Sequence, residues 1–344
     1  MQSPKYILHP KISWYNLSRN TNAIPLITQS LRLKATTNKI NWTGLSSNPN
    51  AIHLLSENID KINWWYLSSN PNAVALLERF PENIDWSMLS SNPNAIRLLE
   101  ANPEKIDWTN LCQNPNADAV RLITQLIHLE RNIDKINWYW LSSNPNAIEL
   151  LSENPYNIEW SMLSYNPNAI PLLEANPDKI NWYNLSSNPN AIRLLEENPD
   201  KINWTGLYSN PNAIPLITKL LRFDQHIDKI DWCWLSRNPN AIPLITELLR
   251  LEQNIDKINW SVLSSNPNPG AIRLLERFPN KINWYNLYKN PNAIHILAPL
   301  DYSTMKQVFQ PFCKELVEYV LNPLRIGRIS ANYGLELEEY LELI

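Results

Sequence analysis

The chain has 344 residues, 44% of them hydrophobic and 18% charged, with a formal net charge of −3 at pH 7. That near-neutral balance supplies no broad attraction to nucleic acid or to an acidic membrane surface. Its three cysteines (Cys112, Cys233 and Cys313) lie far apart without a Cys-x-x-Cys pair, which speaks against a disulfide framework or structural zinc and suits a reducing compartment.

The first residues, Met-Gln-Ser-Pro-Lys-Tyr, do not have the form of a signal peptide, and no apolar run approaches the length of a membrane span. Residues 1–11 read as a fragment of a helix, Tyr-Ile-Leu-His-Pro-Lys. From there on, spacing dominates. The chain holds 27 prolines against 5 glycines and 15 tryptophans against 5 phenylalanines, and rare residues at regular intervals mean repeats.

One tryptophan marks each of twelve units: Trp14, Trp42, Trp64, Trp86, Trp108, Trp138, Trp160, Trp182, Trp204, Trp232, Trp260 and Trp284. Their spacings are 28, 22, 22, 22, 30, 22, 22, 22, 28, 28 and 24. A period of 22 is thus lengthened by six residues in some units, by two in one, and by both in another. The basic unit is Ile180–Lys201.

The first helix of a unit is predicted to start at the tryptophan. In eleven of twelve units the preceding residue is Ser, Asn or Asp, whose side-chain oxygen caps an orphaned backbone N–H; Glu159 is the exception. Isoleucine precedes the cap and leucine follows five residues after it, as in Ile202 and Leu207, a hydrophobic staple. Asn-Pro then stops the helix. The second helix is predicted to begin after Asn-Pro-Asn, with the last Asn as N-cap and Ala as first helical residue. In the two units with an added pair, Asp118 and Gly270 take the cap. Ala, Ile, Leu and Leu then form an apolar stripe at helical spacing. In the units of Trp14, Trp108, Trp204 and Trp232, six further residues extend this helix by roughly 1.7 turns.

Neither helix is long enough to be stable alone, so stacked neighbours must bury the stripe jointly. The predicted fold class is all-α: an α-solenoid of about twelve short two-helix repeats (period 22, some 24–30), occupying residues 1–299 and giving an elongated monomer. The tryptophans are expected in its core. A rival reading is a leucine-rich repeat of similar period. It fails on Ser, which holds the third leucine position in most units where a buried strand residue is required.

Residues 300–344 depart from the repeat and read as a C-terminal helical cap or small accessory module. Pro311–Leu321 is a predicted helix with proline at its first position. A short basic piece around Arg325 and Arg328, the turn Asn332-Tyr-Gly334 and an acidic helix Leu335–Ile344 follow.

The strings Lys-Ile-Asn-Trp and Leu-Ser-Ser-Asn-Pro-Asn-Ala-Ile, repeated over residues 12–298, resemble an uncharacterised repeat family of giant viruses, the nucleocytoplasmic large DNA viruses. The tail from Leu321 to Gly334, ending in Glu338-Glu-Tyr-Leu-Glu-Leu-Ile344, resembles the C-terminal segment of such proteins. The resemblance implies an origin in the cytoplasm of an infected host cell or in a virion, not secretion. It brings no activity with it.

Catalytic strings are missing from the sequence: there is no His-Glu-x-x-His, Gly-x-Ser-x-Gly or P-loop. The histidines (His9, His53, His128, His226 and His295) fall in different units, and a surface role is expected. Glu100, Glu174, Glu196 and Glu276 recur by unit, as on a solvated face, whereas an acid–base pair needs contrasting environments. Arg97, Arg121, Arg193 and Arg273 point outward from the second helix. Arg97–Glu100, Arg193–Glu196 and Arg273–Glu276 are spaced as weak i, i+3 pairs. A ridge of arginines would suit RNA, but proline, alanine, glutamate and histidine hold the position in other units. No enzyme, cofactor or metal site is expected. The function expected is a protein-binding scaffold or adaptor for a viral or host protein, the alternative a structural or minor component of a virus particle. Nucleic acid, a membrane and a small-molecule substrate are not expected partners.

In the first helix the two positions after the tryptophan must turn outward or sideways. Most units place small or polar residues there, but three carry Trp65-Tyr66, Tyr139-Trp140 and Cys233-Trp234. Aromatic rings are enriched at interface hot spots, so Trp65, Tyr66, Trp140 and Trp234 are the candidate protein-binding residues, unless they fill gaps between units.

Overall fold

The computed structural model describes residues 13–32, 37–130, 132–224 and 230–297. The expected helix fragment at 1–11, the cap at 300–344, Cys313, His9 and His226 lie outside them. The repeat region, Pro10–Leu297, forms a unit of its own. Every element among the described residues is helical and none is a strand, which removes the leucine-rich reading.

Each unit has two short α-helices, as expected, and in most a third, 3-10 element that the sequence reading lacked. In the basic unit these are Trp182–Leu185, Ile192–Glu197 and Pro199–Lys201. In eleven units the residue before the tryptophan caps the first helix, as Asn181 Oδ1 accepts the Asn184 N–H at 3.1 Å. Glu159 makes no such bond. The insertions lengthen the second helix, to Ile24–Arg32, Ala117–Glu130, Ile214–Asp224 and Ile242–Leu248. Three apolar columns run through the stack, illustrated by Leu185, Ala191 and Leu195, all at 0% exposure.

The second helix starts one residue later than expected, at isoleucine, and the alanine before it has no cap bond. The first Asn of Asn-Pro-Asn explains this. Asn188 Oδ1 accepts the Asn190 N–H at 2.9 Å, and the Ala191 N–H returns to the Asn188 carbonyl at 3.1 Å, a closed turn that ends on the alanine. The second Asn is drawn away, its Asn190 Nδ2 donating to Pro167 O of the preceding unit at 2.9 Å. Where two residues are added the last Asn does cap, with Asn116 receiving the Asp118 N–H and Asn268 the Gly270 N–H. Asp118 and Gly270 are therefore inside the cap and do not form it.

The first Asn also binds the units together. Asn188 Nδ2 donates to the carbonyls of Ser164 (3.1 Å) and Asn166 (2.8 Å) in the preceding unit. Ser186 Oγ donates to Trp182 O and accepts the Asn203 N–H of the following unit at 2.9 Å. All twelve such asparagines are buried, Asn20 through Asn290, and each donates to the unit before it.

The last unit meets the first through the same bonds. Asn20 Nδ2 donates to the carbonyls of Tyr288 (3.1 Å) and Asn290 (3.0 Å), as Asn48 does to those of Ser18 and Asn20. Asn22 Nδ2 reaches Pro291 O at 2.9 Å. Asn16 Nδ2 reaches Tyr285 O at 2.7 Å, a bond that Asn184 repeats with Ser161. The repeat region is a closed α-solenoid, a ring whose twelve units each turn about 30° from the last. This corrects the elongated array expected from the sequence. Periodicity defines a unit, but the small rotation between units, which accumulates to closure, is not written in the period.

The tryptophans also need correction. Only Trp260 is buried, at 8% exposure with its indole N–H bonded to Ile255 O at 2.8 Å; the other eleven are half-buried. Each opens a helix of four to six residues at its edge, where one ring face has to be covered from the 3-10 segment. Lys105 lies 4.5 Å over Trp86, and Lys201 lies 4.6 Å over Trp182. Trp260→Ala is therefore expected to destabilise by about 3–5 kcal/mol, and Trp182→Ala by only about 1–2 kcal/mol, since part of its ring stays in water. Urea titrations of both variants check this; equal losses would contradict the burial difference.

Candidate functional site

Successive first helices pack on one another along the whole array, while second helices pack most closely at two junctions, Ile96–Glu100 with Ala117–Glu130 and Ile242–Leu248 with Pro269–Arg277. In a ring the shorter spacing belongs to the inner circumference. The first helices therefore form the inner wall and the second helices the outside.

In eight of the twelve units the residue after the tryptophan is exposed on that wall, and in the other four (Thr43, Ser161, Thr205 and Ser261) it is half-buried. Tyr15 is 46% exposed, Trp65 47%, Tyr139 47%, Tyr183 61% and Tyr285 57%. The next residue turns sideways between units and is buried or half-buried in every unit. Of the four candidate residues, Trp65 is thus the exposed one, and Tyr66, Trp140 and Trp234 are half-buried. Trp65 meets Tyr66 edge-on at 4.6 Å and Tyr139 meets Trp140 at 5.1 Å. Arg237 covers Trp234 at 4.9 Å. The four share one wall but sit in separate units and do not converge on one spot. Sequence reasoning missed Tyr15, Tyr183 and Tyr285, whose signal was their common place after the tryptophan, and from the Tyr139-Trp140 doublet it took Trp140 although Tyr139 is the exposed ring. Tyr165 is also exposed on this wall, three residues beyond the sideways position.

Across the twelve units the positions one, two and five residues after the tryptophan carry no Asp or Glu. They carry hydroxyls, amides, rings and three cations: Arg19, Arg237 and Lys289. Arg19 Nη1 donates to Tyr15 Oη at 2.8 Å, and its guanidinium lies 5.6 Å from the Tyr15 ring and 5.9 Å from Tyr66. Tyr15, Asn16, Arg19 and Lys289 line a cleft of about 360 Å³ at the junction of the last and first units.

The outside is different. Arg97, Arg121, Arg193 and Arg273 are exposed there, as expected. The pairing differs from the i, i+3 expectation: Arg193 joins Glu197 and also Glu174 of the preceding unit, Glu196 faces Lys219, and Glu276 meets His295. Neighbouring second helices bring carboxylates within reach across the junction, so pairs form between units as well as within one. Among the described residues no three His, Cys, Asp or Glu gather as metal ligands, and no helix is long and apolar enough to cross a membrane.

Three units replace the ladder serine. Cys112 receives the Asn137 N–H instead, and burial pushes its thiol up to about 11. Tyr208 and Tyr288 bury their hydroxyls without a partner among the described residues. Burial raises both phenols, Tyr288 to about 12, with Asp231 adding to the shift at Tyr208. A phenol in the unfolded chain ionises near pH ~10, so between there and about 12 the folded chain holds Tyr288 protonated while the unfolded chain does not. That contribution to stability is complete below the lower value and is lost as pH rises through the upper one. Tyr288→Phe removes an unpaired buried hydroxyl and should leave stability at pH 8 equal or higher, with a smaller decline toward pH 11.5. Urea titrations at the two pH values check this, and an unchanged decline would contradict it. Compared with protein-family models, curated proteins and solved structures, the chain matches none.

Proposed function

We propose that this protein is a non-enzymatic scaffold that holds a polypeptide partner against the inner wall of its ring. The observation that carries the reading is the row of exposed rings, Tyr15, Trp65, Tyr139, Tyr183 and Tyr285, on a wall whose positions one, two and five residues after the tryptophan hold no carboxylate. An aromatic side chain in water gives up apolar surface to a partner at low entropic cost, and such rings dominate interface energetics. Hydroxyls and amides between them, such as Thr43, Ser87 and Asn110, supply adaptable hydrogen bonds to a peptide backbone. A rigid wall adds preorganisation, which lowers the cost of association.

Alanine substitutions separate binding from packing. Trp65→Ala is expected to leave the melting temperature within about 2 °C, as an exposed side chain should, and to abolish capture of the proteins that the wild type retains from cell extract. Tyr66→Ala, Trp140→Ala and Trp234→Ala, in half-buried positions, should lower both. Full capture by a Trp65→Ala, Tyr139→Ala double variant would rule the wall out as the binding face.

A further inference from the structure

We propose that the arc of the inner wall from Tyr285 across the ring junction to Tyr66 receives an extended acidic peptide segment, its carboxylates on Arg19 and Lys289 and its apolar side chains on the flanking rings. The proposal rests on the scaffold reading and gives its partner a chemistry.

Some cations elsewhere on the repeat region are answered by the chain's own carboxylates: Arg121 by Asp118, Arg193 by Glu174 and Glu197, Lys281 by Asp256. Among the described residues Arg19 and Lys289 have no carboxylate partner. Their surroundings keep it so. The helix caps beside them, Asn283, Ser13, Asn41 and Asn63, are all neutral, whereas the acidic caps Asp85, Asp107, Glu159 and Asp231 belong to other units. Arg19 is also held in place. Its guanidinium lies near both the Tyr15 and Tyr66 rings and donates to Tyr15 Oη, which holds it on one edge. Gly44 gives its stem room, since a Cβ there would stand 3.1 Å from Arg19 Cγ. A planar guanidinium held on one edge presents its other edge, which suits the two oxygens of a carboxylate. Lys289, 5.4 Å from the Tyr285 ring across the same cleft, offers a second point charge.

Adjacent packed helices stand about 8–10 Å apart, and same-side residues of an extended chain about 7 Å. A strand running along the wall therefore meets a new unit roughly every second or third residue. A single-stranded nucleic acid, with a phosphate on every nucleotide, would find only three cations in twelve units. The sparse cations between rings favour an acidic peptide with apolar residues interspersed.

The test uses the full chain and fluorescence anisotropy with three probes: a labelled peptide alternating Glu and Phe, its Gln-for-Glu counterpart, and a single-stranded oligouridylate. The Glu peptide should bind at least about tenfold tighter than the Gln peptide. An Arg19→Ala, Lys289→Ala double variant with unchanged melting temperature should lose that difference. An Arg97→Ala, Arg273→Ala control on the outer helices should keep it. Equal binding of both peptides, abolished by Trp65→Ala, would overturn the acidic preference and leave the scaffold reading standing. Tighter binding of the oligouridylate would assign the arc to nucleic acid and overturn the proposal. Equal binding of both peptides that also ignores every wall substitution would overturn both readings.

Discussion

Twelve buried asparagine amides join each unit of this chain to the one before it. Every one offers its N–H donors to two backbone carbonyls of the unit before it, one of which also accepts an alanine N–H of that unit, as Asn166 O does from Ala169, and its oxygen closes the turn in its own unit. Buried polar groups without partners are costly, so this arrangement is demanding. Aspartate would lack both donors and face the carbonyls with like charge. Glutamine would set its amide one methylene too far along. With first helices of four to six residues, the units gain little from helix formation itself. Regular stacking therefore depends on the amide, with the leucine and alanine columns behind it supplying apolar burial.

The ladder also sets the curvature. It clamps the units on the first-helix side, while second helices of different length stand on the other side without disturbing it. Eight added residues change the length of Ala117–Glu130 and leave Asn144 bonded to Cys112 and Asn114 as in any other junction. Clamped on one side and free on the other, the stack bends until Asn20 finds Tyr288 and Asn290. Closure has a functional consequence. It leaves the repeat region no open solenoid ends, and it brings the first and last units' wall residues, Tyr15, Arg19, Tyr285 and Lys289, into one neighbourhood that the linear sequence holds about as far apart as it can.

Much of the unit was legible because its signals are local. Caps before the tryptophan, the leucine of the first helix and the extension of four second helices follow from side-chain chemistry within a few residues. What escaped depends on the neighbouring unit. Asn188 reads as a helix stop before Pro189, and it is one; its amide bonds to Ser164 and Asn166 have no signature beyond the recurrence of the residue. Ser186 has no role legible within its own unit and joins Trp182 to Asn203 of the next. The tryptophans resembled core residues because they recur, yet at the first position of so short a helix only Trp260 is enclosed, and at Trp86 and Trp182 a lysine covers the ring face instead. At the wall, the doublets drew notice to Trp65, Tyr66, Trp140 and Trp234. The outward position turned out to be the one directly after the tryptophan, where single tyrosines serve as well.

Closure of the ring by the asparagine ladder can be tested by magnetic dipolar coupling between spin labels. Labels on cysteines at positions 285 and 261 would report an ordinary junction between neighbouring units, and labels at 285 and 15 would report the closing one. If Asn20, Asn22 and Asn16 hold the first unit to the last, the two pairs give the same broadened spectrum in dilute solution. An unbroadened spectrum for the 285–15 pair, beside a broadened one for 285–261, would mean an open array and would contradict the ring.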